Sequence, residues 1–344
     1  MLPAFGLYTH IRANRWRSIF LMGTLFMLVY ALTYAGVLGG LAVTRNWGLQ
    51  ALLYQAWRDF LTFAPFVTIG ALIWVAIGYA FNRQIIDAMI GGHAITRAEE
   101  PKLYTMLENL CISRGMKPPR LEILETDVPN AFATGVNERQ YSVTLTRGLI
   151  NTLNDDEIEA VIAHELTHIR NGDVQLMVIA MVIAGVVAFV CEIIFRSIGR
   201  VRWRSSDSSS DSGKGKGGAA GAIAIVMLIV AATWVLSLLI RFALSRTREY
   251  LADAGAVELT KNPDAMISAL RKIEGRSELP TAPSGIMEMC IDNPREGFAD
   301  LFSTHPPMDA RVKALVDYAG GREVLLEDPK TKRKFKSPWS PQAG

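Results

Sequence analysis

The sequence predicts a mainly α integral membrane protein, in which four apolar helices are joined to an α+β domain with a small antiparallel sheet. Three observations predict it. Half of the 344 residues are apolar and mean hydropathy is +0.21, high for a soluble chain of this length. Four stretches are long enough for a hydrocarbon core about 30 Å thick, which takes around 20 helical residues. Between the second and third of these, the long apolar runs give way to short alternating ones of strand type.

Composition also excludes some functions. A net charge of +3, with no aromatic-interleaved basic motif and no phosphate-binding glycine loop, argues against a nucleic-acid partner. Cys111, Cys191 and Cys290 are odd in number and far apart. They make neither a disulfide framework nor a thiolate metal site, and fit buried apolar positions in a reducing compartment.

Residues 1–18 form an N-terminal segment, and residues 19–81 hold the first two spans, Ile19–Val43 and Phe60–Phe81, both free of charged side chains. The first is too long for a removed signal peptide and lacks a small-residue cleavage pattern, so it is read as an anchor. Arg12, Arg15 and Arg17 precede it, whereas the loop beyond offers only Arg45 and Arg58, which places the N-terminus and residues 82–173 in the cytoplasm. Residues 174–240 form an apolar hairpin from Val174–Phe195 and Ala219–Ile240, joined by a basic, Ser/Gly-rich loop at 200–218 that is read as a disordered linker. Because that loop carries Arg200, Arg202, Arg204, Lys214 and Lys216, the hairpin either spans against the charge rule or dips and returns. Residues 241–320 complete the folded domain, and 321–344 are a basic tail.

Within 82–173, the spacing of Leu103, Met106, Leu107 and Leu110 predicts a helix over Ala98–Arg114, ended by Lys117-Pro-Pro. LEILE, NAFATGV and YSVTLTRGLI predict the strands, with a turn at Asn137-Glu138. Asn154 followed three residues on by Glu157 is a capping-box signature, and Ile158, Val161 and Ile162 supply the buried face of the helix it opens.

That helix carries HELTH, residues 164–168. Residues four apart share a helix face, so His164 and His168 can offer two imidazole nitrogens to one ion, and two imidazoles with a carboxylate favour zinc. Glu165 lies about 100° around the helix, within reach of a zinc-activated water as its general base in attack on a peptide carbonyl. A catalytic zinc needs a third ligand, and His93, Glu192 and Glu249 compete. Glu192 would lie about 36 Å beyond His168 on an unbroken helix. Glu249 can approach on a separate helix, with Asp253 one turn on to support a zinc histidine from behind. Glu249 is therefore the expected ligand. Asn130, Ala131, Phe132 and Ala133 are read as an edge strand that binds substrate backbone. His305 is a candidate for oxyanion contact or for a latch, against a structural role. Arg311 is read as a cap or an ion-pair partner, and Asp173 as structural.

HELTHIRNGD, NAFATG, SRTREYLADAGA, MEMCIDN and LFSTHPPMDARVKAL together resemble the HtpX family of membrane-embedded zinc metalloproteases, whose wider relatives include the CAAX prenyl proteases. The resemblance covers roughly residues 60–317. It implies a zincin-like domain with one zinc ion per chain on His164, His168 and Glu249, Glu165 as base, and a cytoplasm-facing site in the bacterial inner membrane. It also implies proteolytic quality control of damaged or misfolded membrane proteins. Expected partners are polypeptide substrates, membrane proteins among them, and the lipid bilayer. Homo-oligomers and other membrane quality-control proteases are further candidate partners. The rival readings are a prenyl-protein protease and a non-enzymatic zinc-stabilised scaffold.

Overall fold

The computed structural model describes residues 7–204, 216–242, 246–280, 282, 284–287, 289–293 and 305–322. Most of the expected linker and nearly all of the basic tail lie outside the described residues. The first hairpin pairs α1 (Leu7–Thr44) with α2 (Leu49–Ile90). Its membrane-length stretches are Phe26–Thr44 and Leu49–Phe81. The second begins well before Phe60, because Arg58 and Asp59 interrupt the apolar run without breaking the helix. Gln55 Nε2 donates to Asp59 Oδ1 one turn on, at 2.7 Å. Tyr30 and Tyr34 meet Phe60 edge to face, with centroids 6.0 and 6.2 Å apart, which locks the hairpin in register.

The chain then forms β1 (His93–Ala94), α3 (Pro101–Arg114), β2 (Arg120–Leu124), β3 (Ala131–Thr134), β4 (Ser142–Thr146), α4 (Arg147–Thr152) and α5 (Asp155–Asn171). Helix α3 opens on Pro101 and ends at Gly115 with φ 64. It stops short of Lys117-Pro-Pro because glycine enters the left-handed region without a Cβ clash. The sheet order is β1-β2-β4-β3. The β3–β4 pairing is antiparallel as expected, the short β1, which the sequence did not predict, pairs antiparallel with β2, and the central β2–β4 pairing is parallel. From β2 the chain crosses to the far edge before a hairpin returns β4 to the middle. Apolar alternation reports which face is buried and not the direction of the neighbour.

Helices α6 (Asp173–Arg204) and α7 (Lys216–Phe242) make the second hairpin, with membrane-length stretches Asp173–Ile194 and Gly218–Ser237. A Cβ on Gly218 would fall 2.3 Å from the Trp47 carbonyl oxygen, and Cβ atoms on Gly39 and Gly78 would contact Val226 and Val182. Helix α7 thus starts beside the α1–α2 turn, and the four helices run side by side. The second hairpin traverses the bundle instead of dipping into it. Leu32, Leu38, Leu52, Leu176, Val187 and Val226 form its core.

Helices α8 (Arg246–Thr260), α9 (Pro263–Ile273), α10 (Ser284–Met287) and α11 (Met308–Ala319) follow. Helices α8 and α9 pack on α5, and α11 packs on α8 and α9. One apolar core joins Leu107, Ile123, Phe132 and Val161, from before the second hairpin, to Met266, Leu270 and Val312, from after it.

Candidate metal centre

Helix α5 is fixed firmly at its start. Asn154 Oδ1 accepts from Glu157 N at 3.0 Å, and Glu157 Oε2 accepts from Asn154 N at 2.8 Å, which completes the expected capping box. The buried Glu157 carboxylate also accepts from Ser268 Oγ at 2.6 Å and Lys272 Nζ at 2.7 Å, tying α5 to α9. The helix ends where Gly172 turns to φ 74. That single left-handed residue separates α5 from α6.

One helical turn places the His164 and His168 rings 4.7 Å apart at 84°, with their Nε2 atoms 3.1 Å apart. Helix α8 brings Glu249 to the same point. Its Oε2 lies 3.6 Å from His164 Nε2 and its Oε1 lies 3.6 Å from His168 Nε2. The approach depends on Gly255, where a Cβ would sit 2.4 Å from Thr167 Cγ2 and 2.7 Å from its Oγ1. Among the described residues, His164, His168 and Glu249 are the one buried group whose ligand atoms all lie within 4.8 Å of one another.

The far side of each ring is also occupied. His164 Nδ1 lies 2.9 Å from Asp253 Oδ1, and His168 Nδ1 lies 3.1 Å from Asp173 Oδ2. Carboxylates only accept, so when the rings are neutral a proton on each Nδ1 faces its carboxylate and a lone pair is left on each Nε2. Two lone pairs and a carboxylate then converge, and buried Glu249 Oε2 makes no hydrogen bond, with His305 Nδ1 and Arg311 Nη1 each 3.5 Å away. This donor set fits a zinc ion. Burial opposes charge on His164, yet Asp253 and Glu249 outweigh it and push its pKa up to about 9.

Arg311 is fully buried. Its Nε and Nη2 donate to Asp253 Oδ2 and Oδ1 at 2.8 and 2.6 Å, and its Nη1 donates to Ile291 O at 2.8 Å. Burial raises the Asp253 carboxyl, but Arg311 and His164 outweigh it and hold the group below its ordinary range. Glu249 is likewise opposed by burial and held well below the usual range by His305, His168 and His164. Glu165 behaves in the opposite way: burial pushes it up, and His164 and His168 only temper the rise. The ligand Glu249 is thus kept ionised, while Glu165 has increased proton affinity, as a general base requires.

Of the rival third ligands, His93 is exposed in β1 and Glu192 is exposed on α6, bound to Arg196 Nε at 2.9 Å. His305 joins the cluster, with Nδ1 3.5 Å from Glu249 Oε2. Ala131, Phe132 and Ala133 lie in β3 at the sheet edge and are buried. The outer side of that edge is partly engaged, because Phe132 bridges Cys290 and Ile291 N donates to Ala131 O at 3.0 Å. Asn130 precedes the strand. Its Nδ2 donates to Ser277 O at 2.7 Å and Asp292 O at 3.2 Å, which ties the strand to the loop after α9. Sequence reasoning undervalued two residues. Asp173, just past the helix-ending glycine, supports His168. Arg311 shares the apolar face of α11 with Met308, Val312 and Leu315, and a charge on that face is the signal that could have found it.

The model of peptidase family M48 matches residues 97–319. A protease HtpX homologue of Bacteroides fragilis is 38% identical over 323 residues, spanning 91% of this chain and 99% of that protein. Homologues of the same description from Lactobacillus helveticus and Listeria monocytogenes are 35% and 36% identical, each over 90% of this chain and 99% of their own length. The crystal structure of S. mikatae Ste24p superposes with a TM-score of 0.47 at 20% identity, covering 75% of this chain and 58% of that one.

Proposed function

Since the chain belongs to peptidase family M48 and is an HtpX-like zinc metalloprotease, we propose that it hydrolyses peptide bonds of damaged or misfolded membrane proteins. We place it in a bacterial inner membrane with its metal centre facing the cytoplasm. The observation that carries the reading is the buried convergence of two imidazole nitrogens and one carboxylate beside four helices of membrane length.

His164, His168 and Glu249 would hold the ion, with Asp253 and Asp173 fixing the rings. Bound there, zinc supplies Lewis acidity that makes water ionise near neutral pH and offsets charge on a polarised carbonyl oxygen. Glu165 takes the proton that water loses on attacking the peptide carbonyl and returns it to the departing amine. In this reading His305, whose Nδ1 lies 3.5 Å from Glu249 Oε2, would contact the carbonyl oxygen as charge builds there. The edge of β3 would align the substrate by backbone pairing, which gives broad sequence tolerance.

Glu165→Gln tests the assignment. Zinc content should stay near wild type while cleavage of a denatured membrane protein falls by about 10²–10⁴-fold. Full activity in that variant would remove Glu165 from the mechanism. A wild-type enzyme that cleaved a prenylated C-terminal peptide and left the denatured protein intact would replace this substrate class.

A further inference from the structure

Helix α6 carries an ion pair on the side that faces lipid. Val187, Cys191 and Ile194 are buried against the bundle, and on the opposite side Gly185, Phe189, Glu192 and Arg196 recur at intervals of four, three and four, all exposed. Arg196 donates through Nε, at 2.9 Å, and through Nη2 to the same oxygen, Glu192 Oε1. The pair leaves Glu192 Oε2 and Arg196 Nη1 outside it, and the two side chains stay 57% and 69% exposed. Its depth follows from the neighbouring helix. A Cβ on Gly78 of α2 would sit 3.7 Å from Val182 Cγ1, and ten residues on, about 15 Å along the axis, antiparallel α6 reaches Glu192 at the level of Thr68. That level lies inside Phe60–Phe81, the run of α2 without a charged side chain. Beyond Asp173, buried beside His168, Glu192 is the one charged residue of the membrane-length stretch Asp173–Ile194.

Lipid does not cover such a pair as it covers an apolar face. Charged groups within a span are costly in hydrocarbon and sit against protein or water, so this side of α6 calls for a polar partner within the membrane. The pattern selects a second copy of the chain. Opposite charges one turn apart on one stripe are self-complementary: a twofold axis along the membrane normal sets two α6 helices side by side in parallel and brings Glu192 of each copy diagonally to Arg196 of the other. The four charges sum to zero, and each Glu192 Oε2 gains a donor. Gly185, where a Cβ would meet nothing within 4 Å of its own chain, lets the two backbones come close. The same axis keeps both metal-bearing domains on one side of the bilayer. We propose that the outward side of α6 is the interface of a homodimer, closed by reciprocal Glu192–Arg196 pairs.

The test uses the full zinc-loaded chain in phospholipid bilayers, with donor-labelled and acceptor-labelled copies mixed at high lipid excess and association read as energy transfer. Wild type should associate, and Glu192→Arg or Arg196→Glu alone should each weaken self-association about tenfold, because each puts four like charges at the interface. Mixing the Glu192→Arg chain with the Arg196→Glu chain should restore it, since opposite signs then meet only between copies. A pair that served its own helix alone would not be rescued by mixing. Gly185→Trp keeps both charges, and should weaken association with zinc still at one ion per chain. Phe189→Cys should form an intermolecular disulfide on oxidation, whereas Leu228→Cys, at a position 70% exposed on α7, should not. Monomeric wild type, single charge variants or Gly185→Trp associating as wild type does, a mixture that stays apart, or equal disulfide formation at both positions overturns the proposal.

Discussion

Asp253 serves two partners at once, backing His164 through Nδ1 and receiving two bonds from Arg311. Removing Arg311 leaves a buried carboxylate uncompensated, so Arg311→Leu should destabilise the domain by about 3–5 kcal/mol, read as a drop in midpoint on thermal unfolding in detergent. Asp173→Asn keeps the shape beside His168 but loses the charge, and should weaken zinc affinity roughly 10–100-fold in a chelator competition titration. Unaltered affinity would mean that His168 needs no outer support. At this scale the ligands were legible, because HELTH puts two imidazoles on one face and Glu249 was the candidate free to arrive from another helix. Arg311 was legible as a cap or an ion-pair partner, but not its place beneath the site, since its carboxylate, Asp253, lies 58 residues away in the chain. Asp173 was legible as structural but not as the partner of His168, because nothing in a linear chain shows that a left-handed glycine will turn the next carboxylate back toward the histidine.

Helix α5 works because both of its long contacts are exact fits of small or charged groups. Gly255→Val should push α8 away from Thr167, giving a chain that keeps its helical circular dichroism and loses bound zinc. Retained zinc at one ion per chain would show that α8 can shift without moving Glu249. Glu157 gives a pH dependence. Burial raises its pKa, but bonds from Lys272, Ser268 and the Asn154 N–H outweigh it and leave the group lowered. A carboxylate with a lowered folded pKa stabilises above its unfolded value and loses that contribution as pH falls through the folded one. The stability gap between wild type and Glu157→Gln should therefore be open at neutral pH and close below about pH 4. The capping box announced this helix in the sequence because its signals lie three residues apart. The parallel β2–β4 pairing was not announced, since it depends on where β3 lies in space.

Across the whole molecule, the four helices place the α1–α2 turn and the start of α7 at one end of the bundle and the metal-bearing domain at the other. Hydropathy made the four spans visible. The charge rule left the second hairpin ambiguous, because its connection carries Arg200, Arg202, Arg204, Lys214 and Lys216. If the domain faces the cytoplasm, a cysteine replacing exposed Glu138 should resist an impermeant maleimide in intact cells, and one replacing Asn46 should react. The native cysteines, all buried, contribute little background. Reversed labelling would invert the orientation. The central claim is that Glu249 closes a three-ligand zinc site with His164 and His168. Its most direct test is metal analysis of the purified wild type beside Glu249→Ala and Glu192→Ala. The account predicts one zinc per chain in wild type and Glu192→Ala, and loss in Glu249→Ala. Full zinc in Glu249→Ala, or loss in Glu192→Ala, would contradict it.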